Sequence, residues 1–115
     1  MINIPENDYV VPTNVNEEVV EAICLAFLSG KSDYHPAHEG WYRYKTDYVI
    51  KLEDGRCFFK NKSAEPSKNE KRYLITGAEM SAAFRVMTSK GYHMFRIYRY
   101  GTWKGYVCSK TVLRQ

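Results

Sequence analysis

The sequence predicts a small α+β domain, a two-layer fold in which an antiparallel sheet of about five strands packs against two helices. Two observations predict it. Two segments carry apolar residues at helical spacing, and two pairs of strand-like segments are joined by short glycine-containing loops typical of β-hairpins. In chain order the elements read α-β-β-β-α-β-β. The length of 115 residues, 44% of them hydrophobic, predicts a single domain spanning residues 1–115.

The first helix is predicted at about residues 15–29. Asn14 precedes Glu17 at the spacing of a capping box. Glu17 and Glu18 place negative charge in the first turn, where the helix dipole favours it, and Gly30 suits the C-terminal end. The apolar face of this helix consists of Val15, Val19, Ile23 and Phe27.

The second helix is predicted at about residues 77–90 by the same signals. Thr76 precedes Glu79 at capping-box spacing, and Gly91 follows the last turn, where a glycine commonly ends a helix. The apolar face of this helix consists of Met80, Ala83, Phe84 and Met87.

A first hairpin is predicted within residues 41–62, with Asp54-Gly55 as a two-residue turn of type I′. This turn fixes the register, because both of its central residues need positive φ and the flanking residues then pair in order. The predicted pairs are Leu52 with Cys57 and Ile50 with Phe59 on a core face, and Lys51 with Phe58 on the other face.

Three segments are predicted to be irregular. Residues 1–13 contain two prolines and are expected to form an extended N-terminal arm, and residues 29–40 have the composition of a loop. Residues 61–71 are polar, charged and contain proline, which predicts a mobile loop. A short strand, residues 73–76, is expected to lead from that loop into the second helix.

Cysteine usage and the absence of targeting signals favour a soluble, cytoplasmic protein. The three cysteines, Cys24, Cys57 and Cys108, are far apart and lie in or beside apolar runs, where thiols are usually buried and reduced. The N-terminus lacks the basic and apolar regions of a signal peptide. The longest apolar run, residues 22–28, is too short to cross a bilayer, so no membrane association is expected.

Charge is distributed unevenly along the chain, which has a net charge of +4. Residues 1–21 carry five acidic and no basic residues, whereas residues 80–115 carry seven basic and no acidic residues. This asymmetry predicts an electropositive surface at one end of the molecule, unless the acidic helix lies against the basic strands and neutralises them.

The last segment, residues 95–107, is predicted to be a hairpin of alternating basic and aromatic residues. Gly101-Thr102 fits a two-residue type II′ turn, which has glycine at its first central position. This register places Arg99 directly opposite Lys104, a like-charge pair that an anion would relieve. It also places Arg96, Tyr98, Tyr100 and Trp103 on one face, and Phe95, Ile97, Tyr106 and Cys108 on a core-facing opposite side.

The exposed face of this hairpin has the chemistry that single-stranded nucleic acid requires, with cations for phosphates and flat rings for bases. The predicted binding residues are Arg96, Tyr98, Arg99, Tyr100, Trp103 and Lys104. Aromatic residues are also ordinary strand residues, and Tyr, Trp and Arg are equally the residues that dominate protein interfaces. A structural role and a protein partner therefore remain as alternatives.

Catalytic arrangements are weaker in this sequence. Residues 33–39 contain His35 and His38, which are weak candidates for metal ligands, but their spacing in a proline-containing loop is not that of a helical zinc motif. His93 could join them in general acid–base cleavage of RNA. A cysteine–histidine pair is also conceivable, although both Cys57 and Cys108 lie on predicted core faces.

The sequence thus favours a non-enzymatic binding protein, without a cofactor, that uses the hairpin at residues 95–107 to bind nucleic acid. The first alternative is a protein-interaction module or inhibitor of a larger host protein, of the kind found in phages and mobile elements. The second alternative is a nuclease that depends on histidine or on a metal ion.

Overall fold

The computed structural model describes residues 15–29, 40–43, 46–61 and 69–110, and has an α+β fold. Its elements in chain order are α1 (Glu17–Ser29), β1 (Gly40–Arg43), β2 (Thr46–Leu52), β3 (Cys57–Asn61), β4 (Glu70–Leu74), α2 (Gly77–Ser89), β5 (His93–Arg99) and β6 (Thr102–Ser109). The described part of the chain contains six strands, so the predicted order with five strands is wrong at one point. The first predicted strand is divided into β1 and β2.

The strands form two antiparallel sheets instead of the predicted single sheet. One sheet has the order β1-β6-β5 and the other β3-β2-β4. Strand β1 leaves the first hairpin to pair with β6, where Gly40 lies opposite Cys108 and Arg43 opposite Gly105. Gly105 permits this pairing, because a Cβ atom at that position would lie 1.9 Å from the carbonyl oxygen of Tyr42.

Helix α1 begins two residues later than predicted, at Glu17. The side chain of Asn16 accepts a hydrogen bond of 3.0 Å from the backbone N–H of Glu18, so Asn16 caps the helix. Asn14 and Gly30, the predicted cap and stop, lie outside the described residues. The buried face is wider than predicted and consists of Val19, Ala22, Ile23, Cys24, Ala26 and Phe27.

Helix α2 confirms the predicted capping residue and end. The Thr76 hydroxyl accepts a hydrogen bond of 3.3 Å from the backbone N–H of Glu79 and donates one to the carboxylate of Glu79. The helix ends before Gly91, which has a φ of 91°. Met80, Ala83 and Met87 are buried and Phe84 packs against the same core, as the apolar spacing predicted.

The first hairpin has a register that is one residue away from the prediction. The carbonyl of Leu52 accepts a hydrogen bond from the N–H of Gly55, and the N–H of Leu52 donates one to the carbonyl of Arg56. These two bonds close a three-residue loop, residues 53–55, in which Gly55 has a φ of 90°. A single residue with positive φ is sufficient here, so the two-residue type I′ turn is wrong. The resulting pairs are Lys51 with Cys57, Ile50 with Phe58 and Val49 with Phe59.

This register changes which residues face the helices. Val49, Cys57 and Phe59 belong to the core that α1 covers, whereas Ile50 lies on the opposite face and is 2% exposed. The predicted pairing of Ile50 with Phe59 on one core face is therefore wrong. Both faces of this sheet contain buried side chains.

The charged loop is shorter than predicted at its C-terminal end. Residues 70–72 belong to β4, which pairs with β2, and Lys60 binds Glu70 across 2.9 Å. Residues 62–68 and the predicted N-terminal arm, residues 1–13, lie outside the described residues.

The core joins the two helices to both sheets through buried aliphatic, aromatic and sulfur-containing side chains. All three cysteines are buried, and burial raises the pKa of the Cys24 and Cys57 thiols. Phe27, which is fully buried, packs edge-on against Phe59 with ring centroids 4.8 Å apart. Neither α1 nor α2 is long and apolar enough to cross a bilayer.

Candidate functional site

The tip of the β5–β6 hairpin has a turn that the sequence did not predict. Its two loop residues are Tyr100 and Gly101, with φ angles of 53° and 75°. Two consecutive positive φ angles are the signature of a type I′ turn, so the predicted type II′ turn at Gly101-Thr102 is wrong. The cost of this geometry lies at Tyr100, because a bulky side chain rarely adopts positive φ.

A β-bulge at Lys104 separates the tip of the hairpin from its base. Tyr98 lies opposite Trp103 and Ile97 opposite Gly105, which leaves Lys104 as the extra residue between them. Arg99 consequently lies opposite Thr102. The predicted like-charge pair of Arg99 and Lys104 is therefore wrong, and it gives no argument for an anion between these residues.

The bulge also redistributes the side chains between the two faces. Arg96 lies opposite Tyr106, and Tyr98 lies opposite Trp103, so these four residues share a face that continues towards the core. The prediction placed Tyr106 on the opposite face, with Ile97. It was wrong because a bulge inserts one residue and inverts the alternation beyond it.

The structure places most of the six predicted binding residues at the surface. Tyr100 is 98% exposed and Tyr98 is 57% exposed. The three cations, Arg96, Arg99 and Lys104, are also exposed. Trp103 differs from them, because it is half-buried and its indole N–H donates a hydrogen bond of 3.0 Å to the carbonyl of Gly105.

Trp103 belongs to a cluster of aromatic rings that connects the hairpin to the core. Its ring lies 4.9 Å from that of Tyr106 and 6.5 Å from that of Tyr42. Tyr106 in turn packs edge-on against Phe84 of α2, at 4.6 Å, and the guanidinium of Arg96 lies 5.8 Å from the centre of the Tyr106 ring. Trp103 and the base of the hairpin are therefore fixed by packing, whereas Tyr98 and Tyr100 are exposed.

Arg96 and Trp103 line a cleft between the hairpin and the start of α2. This cleft is completed by residues that were not among the predicted binding residues, notably Tyr42, Thr76 and Ser81. Only the capping box at Thr76 could have signalled the helix terminus there, since nothing local relates Tyr42 of β1 to β6.

Glu18 of α1 binds side chains of β4 in the described structure. Tyr73 donates a hydrogen bond of 3.0 Å to Glu18, and the ammonium of Lys71 lies 3.3 Å from the same carboxylate oxygen. These two hydrogen bonds lower the pKa of Glu18 below its usual value of 4.5. The described ion pairs lie between Arg56 and Asp54, Lys60 and Glu70, and Lys71 and Glu18; the hairpin cations take part in none of them.

The candidate catalytic residues are not assembled within the described part of the chain. His35 and His38 lie outside it, and His93 is exposed at the start of β5, where its ring lies 6.1 Å from that of Phe95. No three His, Cys, Asp or Glu side chains among the described residues are grouped as metal ligands would be. Cys57 and Cys108 are fully buried, a position in which a thiol is a poor nucleophile.

The hairpin therefore presents exposed rings and exposed cations on a rigid aromatic base. This combination can stack against flat ligands and attract anions. Comparison with known family models, curated proteins and solved structures found no match to the chain.

Proposed function

We propose that the β5–β6 hairpin binds single-stranded nucleic acid, without catalysing a reaction on it. The observation that carries the proposal is Tyr100, which is 98% exposed at a φ of 53°. Asn or Gly would occupy this position of a type I′ turn at lower energy. A ring that is almost fully exposed gains little from packing, so a base that stacks on it gives a reason for the strained position.

The charges of the hairpin support the same ligand. Arg96, Arg99 and Lys104 are exposed, and the acidic side chain of Glu18 is paired with Lys71 on β4. Exposed cations that are not neutralised within the described fold would attract phosphates and release their counterions on binding.

The arrangement favours a single strand over a duplex. Bases of a duplex are stacked on one another and present only their edges in the grooves. The rings of Tyr98 and Tyr100 could stack only on bases that are already free, as they are in single strands and loops.

The proposal is tested by fluorescence anisotropy of labelled single-stranded DNA, single-stranded RNA and duplex DNA, titrated with the protein. Tyr98→Ala is expected to weaken single-strand binding by roughly 5- to 150-fold, the effect of losing one stacked base, which is worth about 1–3 kcal/mol. The matched control is Leu74→Ala, because Leu74 on β4 has the same exposure of 57% as Tyr98.

Leu74→Ala is expected to bind as the wild type does, and the oligonucleotide is expected to be recovered intact after incubation. Absence of single-strand binding at the lowest salt would refute the proposal, as would equal losses in both variants. Cleavage of the oligonucleotide would instead favour the nuclease alternative.

A further inference from the structure

The cleft that contains Arg96 and Trp103 lies between the base of the β5–β6 hairpin and the start of α2, and has a volume of about 260 Å³. The polar side chains that line it belong to three aromatic residues, one threonine, one serine and one arginine. The residues concerned are Tyr42, Trp103, Tyr106, Thr76, Ser81 and Arg96.

The charge of this cleft is suited to an anion. Arg96 is the only charged residue that lines it among the described residues, and no carboxylate does. The buried carboxylate of Glu79, in the first turn of α2, accepts a hydrogen bond from the Thr76 hydroxyl. An anionic group on a ligand could therefore approach the guanidinium of Arg96 without an opposing acidic side chain in the wall.

The aromatic wall is held in place before any ligand binds. Tyr42 and Tyr106 are stacked at 5.8 Å, and the indole N–H of Trp103 is fixed by its hydrogen bond to Gly105. A wall of fixed rings loses little conformational entropy when a flat group packs against it.

The size of the cleft limits its occupant. Pockets for drug-sized ligands usually measure about 300–1,000 Å³, so this cleft suits one small ring system with a charged substituent. Arg96 and Tyr98 are two residues apart on β5, a distance of about 7 Å, so a strand at the tip could reach the cleft.

We propose that the cleft binds a single nucleotide, with its base beside Trp103 and Tyr106 and its phosphate at Arg96. This inference rests on the proposed function, because the nucleotide is taken to be part of the bound strand. A free nucleotide offers the same chemistry, and the experiment separates the two sources.

The test uses two-dimensional NMR of the full chain titrated with adenosine 5′-monophosphate, and separately with adenosine and with inorganic phosphate. The monophosphate is expected to shift the amide signals of Gly77 and Ser81 and the indole signal of Trp103. Adenosine lacks the phosphate and inorganic phosphate lacks the base, so each is expected to bind more weakly than the monophosphate. Absence of shifts at these positions with the monophosphate would overturn the inference.

Two matched variants identify the phosphate ligand. Arg96→Gln is expected to weaken monophosphate binding by about tenfold or more, because a charge-assisted hydrogen bond is lost. Arg56→Gln is the control, since Arg56 is an exposed arginine between β2 and β3 that does not line the cleft. Equal effects of the two substitutions would show that the cleft does not select the phosphate.

A third variant separates this inference from the proposed function. Ser81 is exposed on α2 and lines the cleft, so Ser81→Leu is expected to fill part of it without altering the core. Ser81→Leu should weaken both monophosphate and single-strand binding. If it binds a strand as tightly as the wild type, the cleft inference fails while the proposed function stands. If the monophosphate binds but no strand does, the proposed function fails and the cleft is a site for free nucleotides.

Discussion

At the scale of single residues, Gly105 determines whether β1 can pair with β6. It has a φ of 141° and lies so close to β1 that a Cβ atom would collide with the Tyr42 carbonyl at 1.9 Å. Gly105→Ala is expected to lower the free energy of unfolding by at least about 2 kcal/mol, because the backbone must shift to relieve both the clash and the strained φ. Urea denaturation measures this change.

The control for Gly105 is another glycine of the chain. A Cβ atom at Gly77, the first residue of α2, would meet nothing within 4 Å. Gly77→Ala is therefore expected to be neutral or to stabilise the protein by less than about 1 kcal/mol. Similar losses in the two variants would contradict the close approach of β1 to Gly105.

A second residue-scale prediction concerns Glu18 and Tyr73. The hydrogen bond from Tyr73 lowers the pKa of Glu18 below 4.5, so the stability that this carboxylate contributes is present above that value and lost as the pH falls through its lower folded pKa. Tyr73→Phe should consequently lose less stability than the wild type between about pH 6 and about pH 3. Denaturant unfolding over this pH range measures the difference, and Glu17→Gln in the same helical turn is the control; identical pH profiles for Tyr73→Phe and wild type would contradict the prediction.

At the scale of elements, the type I′ turn of the β5–β6 hairpin is expected to be less stable with Tyr100 than with the asparagine that this type of turn prefers. A left-handed conformation costs a bulky residue about 1–2 kcal/mol, and Asn-Gly is the preferred sequence for a type I′ turn. Tyr100→Asn should therefore raise the midpoint of thermal unfolding. A lower midpoint would contradict the assignment of strain to Tyr100.

The helices could be predicted from the sequence better than the hairpins, for a physical reason. A cap such as Thr76 and a stop such as Gly91 act within one helical turn, so nearby residues are sufficient to predict them. The hairpin registers depend on how many loop residues take positive φ, and Asp54-Gly55 and Gly101-Thr102 each fit more than one turn. The bulge at Lys104 lies beside the contact of Gly105 with β1, a contact between distant parts of the chain.

At the scale of the whole molecule, contacts between distant parts of the chain also explain why the sequence did not predict two separate sheets. Nothing near residues 40–43 indicates that they pair with β6 at the other end of the chain. The basic C-terminal part of the sequence supplies Arg96, Arg99 and Lys104, which are exposed in the structure. Lys71 on β4 pairs with Glu18, a placement that the sequence left open.

This distribution of charge predicts the salt dependence of binding. If the three exposed hairpin cations contact phosphates, the logarithm of the affinity for a single strand should fall with the logarithm of salt concentration with a slope of about −2. Arg99→Gln should make the slope shallower by about 0.7, whereas Lys71→Gln, on β4, should leave it unchanged. A slope near zero would show that the cations do not contact phosphates.

The central claim, that the hairpin tip binds single-stranded nucleic acid, is tested most directly by the affinity of Tyr100→Asn for a labelled single strand at low salt. The variant is expected to fold at least as stably as the wild type and to bind roughly 5- to 150-fold more weakly, because only the stacking ring is lost. Loss of binding without loss of stability is the result that the claim predicts. Equal affinities for the two proteins would contradict it.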